Sequence, residues 1–449
     1  MAELAPRDQD QPGSELVPVR DPNALSTGDR ARLGAATFAG RLAKAASRLT
    51  GRGSGASIQG KVMLRVDPQA LSKLLRGRSI ALVSGTNGKT TTTHLLAAAI
   101  SASLGRDSAR MVTNADGANL HHGIASALSS APRADIAVLE TDERVVADVV
   151  RLGRPQVLTL LNFSRDQLDR HHEIKALGRS WRTALEAAGT DGPVVVANAQ
   201  DPLIVWASQT AREVIWVSPA ATWLQDAALC PNCGAILDRT DGRWSCTGCT
   251  LAQPPATYRV EDGRIVDAAD QRWDPQLSVP GSFNVGNAAF ALAAAQVMGV
   301  HPGTAFAGMR RVSSPAGRYG TVRFGETTAR LVLAKNPAGW AEALPLAATA
   351  TVVLAIDSAA ADGRDVSWLW DVEYEQLAGR TVIATGPRAQ DLAVRLTYAG
   401  VEHKTVPDLA AALAGHTQPV DVIATYTPFQ KLRRLADPPR KTSTDDRSA

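Results

Sequence analysis

Ile80 to Ala99, IALVSGTNGKTTTTHLLAAA, is the stretch on which the fold turns. Ile80–Val83 is a short apolar run that reads as a buried strand, Gly85-Thr86-Asn87-Gly88 as a turn, and Lys89 onward as a helix. A strand that runs through a glycine turn into a lysine and a helix binds nucleotide phosphates, because the N–H groups of the first helical turn point at phosphate oxygens. Glycine lets the backbone approach the phosphates closely, Lys89 supplies a point charge to the β and γ phosphates, and the Thr90 hydroxyl suits Mg²⁺. The generic phosphate loop has a further glycine at the position held here by Val83, so the shorter form GTNGKTT (85–91) is the informative variant. A plain strand-to-helix turn rich in Gly and Thr is the competing reading, and it is disfavoured because strand, turn, Lys-Thr and helix occur together in the required order.

Working outward, 449 residues suffice for two or three domains, each with its own core. The net charge of +4 comes from 48 basic against 44 acidic residues, too even a balance to imply nucleic-acid binding by itself. No apolar run of about 18 residues appears, and the N-terminus MAELAPRDQDQPGSE is acidic and polar where a secretory signal is basic and then apolar. A cytoplasmic location is expected, with the inner membrane face as a further possibility. All four cysteines fall in two Cys-x-x-Cys pairs, which in a reducing compartment points to metal more than to disulfides.

Residues 1–30, rich in Pro, Asp, Gly and Ser, are expected to be a disordered tail. The short segment 31–75 carries Arg41, Lys44 and Arg48 at helical spacing among apolar residues; it reads as a packing helix with a solvated basic face, a membrane-surface helix being the alternative. From 76 to 314 apolar strands alternate with helical stretches (Asp135–Glu140, Gln156–Leu161, Pro193–Asn198, Val214–Val217), which predicts a parallel sheet covered by helices. The cysteine segment 222–275 interrupts that alternation as an insertion. A second alternation over 315–437, with strands near Thr321–Phe324, Arg330–Leu333, Thr351–Ile356, Thr381–Thr385 and Asp421–Ala424, predicts a C-terminal α/β domain, and 438–449 a loose tail. The expected fold class is therefore α/β: a P-loop central domain with a parallel sheet, an inserted four-cysteine zinc ribbon and a C-terminal α/β domain.

Three further clusters carry chemistry. Glu140 ends a strand where open α/β sheets bind ligands, beside Asp142 and Glu143, and is a candidate Mg²⁺ ligand; a solvated acidic loop is the bland alternative, outweighed by the phosphate loop. Cys230, Cys233, Cys246 and Cys249, with twelve residues between the pairs, suit two knuckles closing a structural Zn²⁺ site, since four thiolates leave no open position for water. Arg239, Arg243 and Trp244 lie inside this ribbon and read as packing and solubility more than as a nucleic-acid surface. Asn162 to His171, NFSRDQLDRH, also emerges at the ligand edge; His171 and His172 resemble metal ligands only superficially, and His172 reads as exposed.

With these residues in place the chain resembles the Mur ligase family of ATP-dependent amide-forming enzymes of peptidoglycan synthesis. The resemblance rests on GTNGKTT at 85–91, Glu140, NFSRDQLDRH at 162–171, NAQDP at 198–202, PGSFNVGNAAFALAA at 280–294 and AGR at 316–318, in family order. The family's full UDP-binding N-terminal domain is expected to be lacking, since the residues ahead of Ile80 are too few for it. The ribbon, KNPAGW at 335–340, DGRDVSWLWD at 362–371 and TYTPF at 425–429 are similar to the members that serve as synthetase subunits of amidating complexes. The place where many members carry a carbamylated lysine holds Ser180-Trp181-Arg182, so a second metal on such a lysine does not carry over. The resemblance implies amidation of the D-isoglutamate α-carboxyl of the lipid II stem peptide through an acyl phosphate, with ATP and Mg²⁺ as cofactors and Zn²⁺ structural. Gly85, Thr86, Asn87, Gly88, Lys89, Thr90 and Thr91 would hold the phosphates, and Thr90 and Glu140 the Mg²⁺. Asn284 and Asn287 would lie on the nucleotide side, while Arg318, Lys335 and Asn336 would reach ATP or the carboxylate from the C-terminal domain. No cysteine is left over for glutamine hydrolysis, so a second chain is implied, and the resemblance implies that it is a GatD-type glutaminase. The loop 362–371 is expected to face it, with Asp365 first among its aspartates to assist the partner's histidine; a capped surface loop is the alternative. Two rival functions are a folylpolyglutamate-type ligase and a zinc-ribbon P-loop protein acting on nucleic acid, neither of which gives all the motifs a role.

Overall fold

A computed structural model describes residues 25–49, 56–115, 118–164, 174–220, 227–240, 242–313, 319–359 and 362–436. The expectations placed on the chain's first two dozen residues, on Arg165 to His172, on 316–318 and on the final tail lie outside the described residues. Among the described residues, no helix is long and apolar enough to cross a membrane.

The central sheet forms around β1 (Ser79–Ser84), whose residues from Ile80 on are buried. Two parallel neighbours enclose it, β3 (Ile136–Glu140) and β4 (Val157–Leu160), which is why all three read as apolar runs rather than as alternations. β2 (Met111–Thr113) pairs with β3 at one edge; β5 (Val194–Asn198) and β6 (Glu213–Ser218) continue beyond β4. Registers Val83 to Glu140 and Ser84 to Leu160 bring the carboxyl ends of β1, β3 and β4 level, so the chain leaves the sheet at one edge three times over. Chain connections depart to opposite sides there, the place where open α/β sheets bind ligands.

Helix Lys89–Leu104 covers one face of the sheet together with Phe283–Val297 and Pro302–Met309. Alanine-rich surfaces let these helices approach closely. At Gly308 a Cβ would lie 2.2 Å from the Ala98 carbonyl oxygen, so only glycine fits that crossing. The other face is filled by Trp181, Leu185, Ile204, Val149 and their neighbours.

Within the cysteine segment two architectures follow one another. Residues 227–253 make a small ribbon whose two-residue strands Leu237–Asp238 and Ser245–Cys246 pair antiparallel. Residues 258–273 instead add three strands to the central sheet, Tyr258–Glu261 pairing parallel to β6. The alternation of apolar strand and helix does not reveal this addition, because the three strands follow one another as antiparallel hairpins with half-polar faces.

The C-terminal unit is a six-stranded sheet. Tyr319–Phe324 and Thr327–Leu333 form an antiparallel hairpin, and Val420–Ala424, Thr351–Ala355, Thr381–Thr385 and His403–Thr405 follow in parallel. Trp340, Tyr374, Leu354 and Leu392 fill one face of this sheet.

Candidate active site

The phosphate loop is shaped by two left-handed glycines. Gly85 has φ +137°, and a Cβ there would meet Asn162 N at 2.9 Å; Gly88, which precedes the helix, has φ +82°, and a Cβ there would sit 2.5 Å from Asn287 Oδ1. Asn162, the second residue after β4, clamps the loop from below: Asn87 N donates to Asn162 Oδ1 (2.9 Å), Asn162 Nδ2 donates to the Asn87 carbonyl (3.1 Å), and Thr86 N donates to the Asn162 carbonyl (2.9 Å). Lys89 is buried, and its ammonium donates to the Gly85 carbonyl and, at 3.3 Å, to that of Thr86. Glu143 Oε2 lies 3.4 Å from the same nitrogen. Lys89 is thus poised over the loop with an acidic counter-charge from the β3 side.

Glu140 is 5% exposed and accepts from both sides, from Thr90 Oγ1 (2.9 Å) and from Asn119 Nδ2 (3.1 Å). Asn114 pins its backbone, accepting from Glu140 N at 2.8 Å and donating to its carbonyl at 2.9 Å. A hydroxyl and a carboxylate in contact at the end of two parallel strands form a hard-oxygen donor pair of the kind Mg²⁺ takes beside nucleotide phosphates. The donor set fits Mg²⁺, and the glycine cradle beside a buried amide nitrogen, Asn87 Nδ2, that has no hydrogen-bond partner fits the phosphates. Asp142 is tied to Arg144 (2.7 Å): burial raises its carboxyl, and the hydrogen bonds from Arg144 outweigh that and hold it below the ordinary range.

Thr91 is buried in the first helical turn, and Thr92 Oγ1 donates to Asn287 Oδ1 (3.3 Å). Asn287 Nδ2 donates in turn to Asn284 Oδ1 (2.9 Å), so the two asparagines are wired to the phosphate loop. From the C-terminal unit, Asn336 Nδ2 donates to Asn87 Oδ1 (3.1 Å), and Asn336 Oδ1 caps helix Pro337–Ala343 by accepting from Gly339 N. Half-buried Lys335 precedes it directly. The structure therefore brings Gly85 to Thr91, Glu140, Asn284, Asn287, Lys335 and Asn336 to one region. It keeps Asp365 elsewhere, exposed on its loop and accepting from Ser367 N (2.8 Å), a bond that lowers its carboxyl from the ordinary range. Arg318 lies outside the described residues.

A cavity opens beside the loop, walled by Asn87, Phe163, Phe283, Asn287, Arg239 and Glu342 among others. Two of these walls are not announced by any motif. Arg239 comes from the ribbon, where burial lowers its guanidinium from the ordinary range. Glu342 comes from helix Pro337–Ala343 of the C-terminal unit; half-buried, it touches the cavity space with protein on its other sides, and desolvation pushes its carboxyl up to about 8. Asp201, inside NAQDP, holds the floor: one oxygen caps helix Pro202–Ser208 through Leu203 N and Ile204 N, and the other accepts from Phe163 N (2.7 Å). Trp181 packs its ring on Phe163 at 4.3 Å, and its Nε1 donates to the Glu143 carbonyl (2.8 Å).

The four cysteine sulfurs lie within 4.8 Å of one another, with Cys230 to Cys249 at 3.7 Å and Cys233 to Cys246 at 3.4 Å. The edge of a tetrahedron with Zn–S bonds of ~2.3 Å is ~3.8 Å, so the cluster fits Zn²⁺. The ribbon is seated on the central domain by Trp244, which is buried with Val205 and Trp206; Trp244 Nε1 donates to the Ala199 carbonyl (3.0 Å).

Residues 83–295 match the family described as the Mur ligase middle domain, and residues 333–429 that described as MurT ligase C-terminal. The lipid II isoglutaminyl synthase (glutamine-hydrolyzing) subunit MurT of Staphylococcus aureus is 30% identical over 390 residues, covering 81% of this chain and 87% of the relative. The chain belongs to the Mur ligase family, in its MurT branch. The subunit of the same description from Streptococcus pneumoniae is 29% identical, covering 85% of this chain and 92% of its own length. Among solved structures, a pseudomurein peptide ligase type C from Methanothermus fervidus shares the fold with a TM-score of 0.59 at 16% identity, over 80% of this chain and 78% of that one. The chain is accordingly an ATP-dependent ligase, and the phosphate loop with its Thr90–Glu140 pair lies in the part it shares with the whole family.

Proposed function

We propose that this chain amidates the α-carboxyl of D-isoglutamate in the stem peptide of lipid II, as the synthetase half of a complex with a GatD-type glutaminase. The reaction has two steps. A carboxylate oxygen attacks the γ-phosphorus of ATP, giving an acyl phosphate and ADP; ammonia then attacks the acyl carbon, and phosphate leaves as the amide forms. Gly85 to Thr91 would hold the phosphates, Lys89 would neutralise charge on the transferred group, and Thr90 and Glu140 would hold Mg²⁺, which supplies charge neutralisation between the phosphate oxygens. Asn284, Asn287 and Asn336 would set the nucleotide side, with Lys335 and Arg318 directed to the phosphate or the carboxylate.

One observation carries the need for a second chain. Every cysteine belongs to the ribbon, so no thiolate is left to hydrolyse glutamine, while the ligase half is present with its phosphate loop and buried acid. Asp365 would assist the partner's histidine; it is exposed, with one carboxylate oxygen accepting from Ser367 N. The test is mass spectrometry of lipid II incubated with ATP, Mg²⁺ and this chain. Amidated product is expected with ammonium salt and with glutamine plus the glutaminase, but not with glutamine alone. Product from glutamine alone, or none under any condition, would reject the reading. Full glutamine-dependent activity in a complex carrying Asp365→Asn would remove the role given to that residue.

A further inference from the structure

Helix Thr27–Leu49 is apolar on two opposite sides, and only one of them is packed. At 100° per residue, Phe38, Leu42 and Leu49 fall within about 40° of one another on the helical wheel. They are 65%, 57% and 89% exposed. Ala36, Gly40 and Ser47, on the far side, are buried. There the helix meets Ala56–Val66 so closely that a Cβ on Gly40 would lie 2.6 Å from Met63 Cγ. The second helix is itself fixed to the central domain, since a Cβ on Gly60 would overlap the His122 carbonyl. Lys73 ties down the start of the first helix, holding Asp29 and Asp67 at 2.9 Å each. These contacts set which side of the helix faces outward.

Charge identifies what the stripe suits. The two helices carry Arg30, Arg32, Arg41, Lys44, Arg48, Lys61 and Arg65 against the single acid Asp29, which is already paired with Lys73. Over the whole chain the basic excess is only +4, so these two helices concentrate what the rest of the molecule balances. Exposed Arg41 and Arg32 lie to either side of the stripe, about 80° and 100° from its centre. A stripe of Phe and Leu about 16 Å long with cations at its side suits the boundary of an anionic bilayer, where the apolar side chains enter the acyl region and the cations meet lipid phosphates. We propose that this helix docks the protein on anionic membrane surfaces. The inference stands on the helix alone and does not need the amidation reading, although it would hold the active site beside a lipid-linked substrate.

The test is sedimentation of the full chain with vesicles of phosphatidylcholine and, separately, of phosphatidylcholine mixed with phosphatidylglycerol. Binding to the mixed vesicles alone, weakened by added salt, is expected. Phe38→Ser with Leu42→Ser should lower the partition coefficient about tenfold or more with an unchanged melting temperature, since both side chains already face solvent. Arg32→Glu with Arg41→Glu should remove the preference for the anionic vesicles. No binding to either vesicle, equal binding to both, or a self-association in solution that Phe38→Ser with Leu42→Ser abolishes would overturn the proposal, the last by showing that a second copy covers the stripe. The assay contains no ATP, peptide or glutaminase, so its failure would leave the amidation reading untouched.

Discussion

Glu140 and Glu342 both reach the site with a carboxyl group, yet their surroundings differ: hydrogen-bond donors enclose one and desolvation dominates the other. Glu140 accepts two hydrogen bonds, from Thr90 and Asn119, in a hard-oxygen setting that suits a cation beside it. Glu140→Gln keeps the size but removes the charge, and ligase turnover should fall on the order of 10²-fold or more. A Mg²⁺ titration of the rate checks this, with the melting temperature little changed. Glu342 has desolvation as its only resolved influence and stays neutral to about 8. In the unfolded chain the group ionises near its ordinary value of 4.5. Between those two values the unfolded state holds fewer protons than the folded one, so stability is lost as pH rises. Thermal midpoints of Glu342→Gln and the parent protein should coincide near pH 4.5, diverge in favour of the variant toward pH 8, and then run parallel.

At the scale of elements, the ribbon is more than an appendage. The segment that carries its sulfur cluster also carries Trp244, which plugs into the central domain, and Arg239, which walls the cavity beside the phosphate loop. A ribbon of this size has too little core to hold its shape without metal. Zinc removal by a chelator should therefore do two things at once: shift the tryptophan fluorescence as Trp244 loses its burial, and weaken ATP binding several-fold by calorimetry as Arg239 leaves the wall. An affinity unchanged after verified zinc loss would sever the link between ribbon and cavity. The basic helix pair at the N-terminus works by the same logic of seating, with Gly40 and Gly60 allowing contacts that fix which side remains exposed.

Across the whole molecule, the central and C-terminal units meet where Asn336 reaches Asn87. The same side chain caps the helix that carries Glu342 to the cavity, so one residue joins the loop, the cap and the cavity wall. Asn336→Ala removes a cap and a buried hydrogen bond, together roughly 1–2 kcal/mol. Lowered thermal stability together with weaker ATP binding is the expected outcome, measured by calorimetry; a loss of stability alone would show that the contact does not serve the nucleotide site.

The sequence by itself determined the phosphate loop, the strand-terminal acid and the cysteine pairs, because each is a local pattern: a residue type at a fixed spacing beside a strand or turn. It also determined the strands of both sheets that are apolar throughout, since burial on two faces leaves an uninterrupted run. Tertiary structure alone decided what no spacing encodes. Asn114 and Asn119 meet Glu140 only because β2 ends beside β3, Arg239 and Glu342 share a cavity across more than a hundred residues of chain, and the strands 258–273 extend the central sheet rather than the ribbon. The physical reason is the same in each case. Such contacts depend on the register of distant strands and on close helix crossings, and a short polar stretch carries the same local signature whether it lines a cavity or faces water.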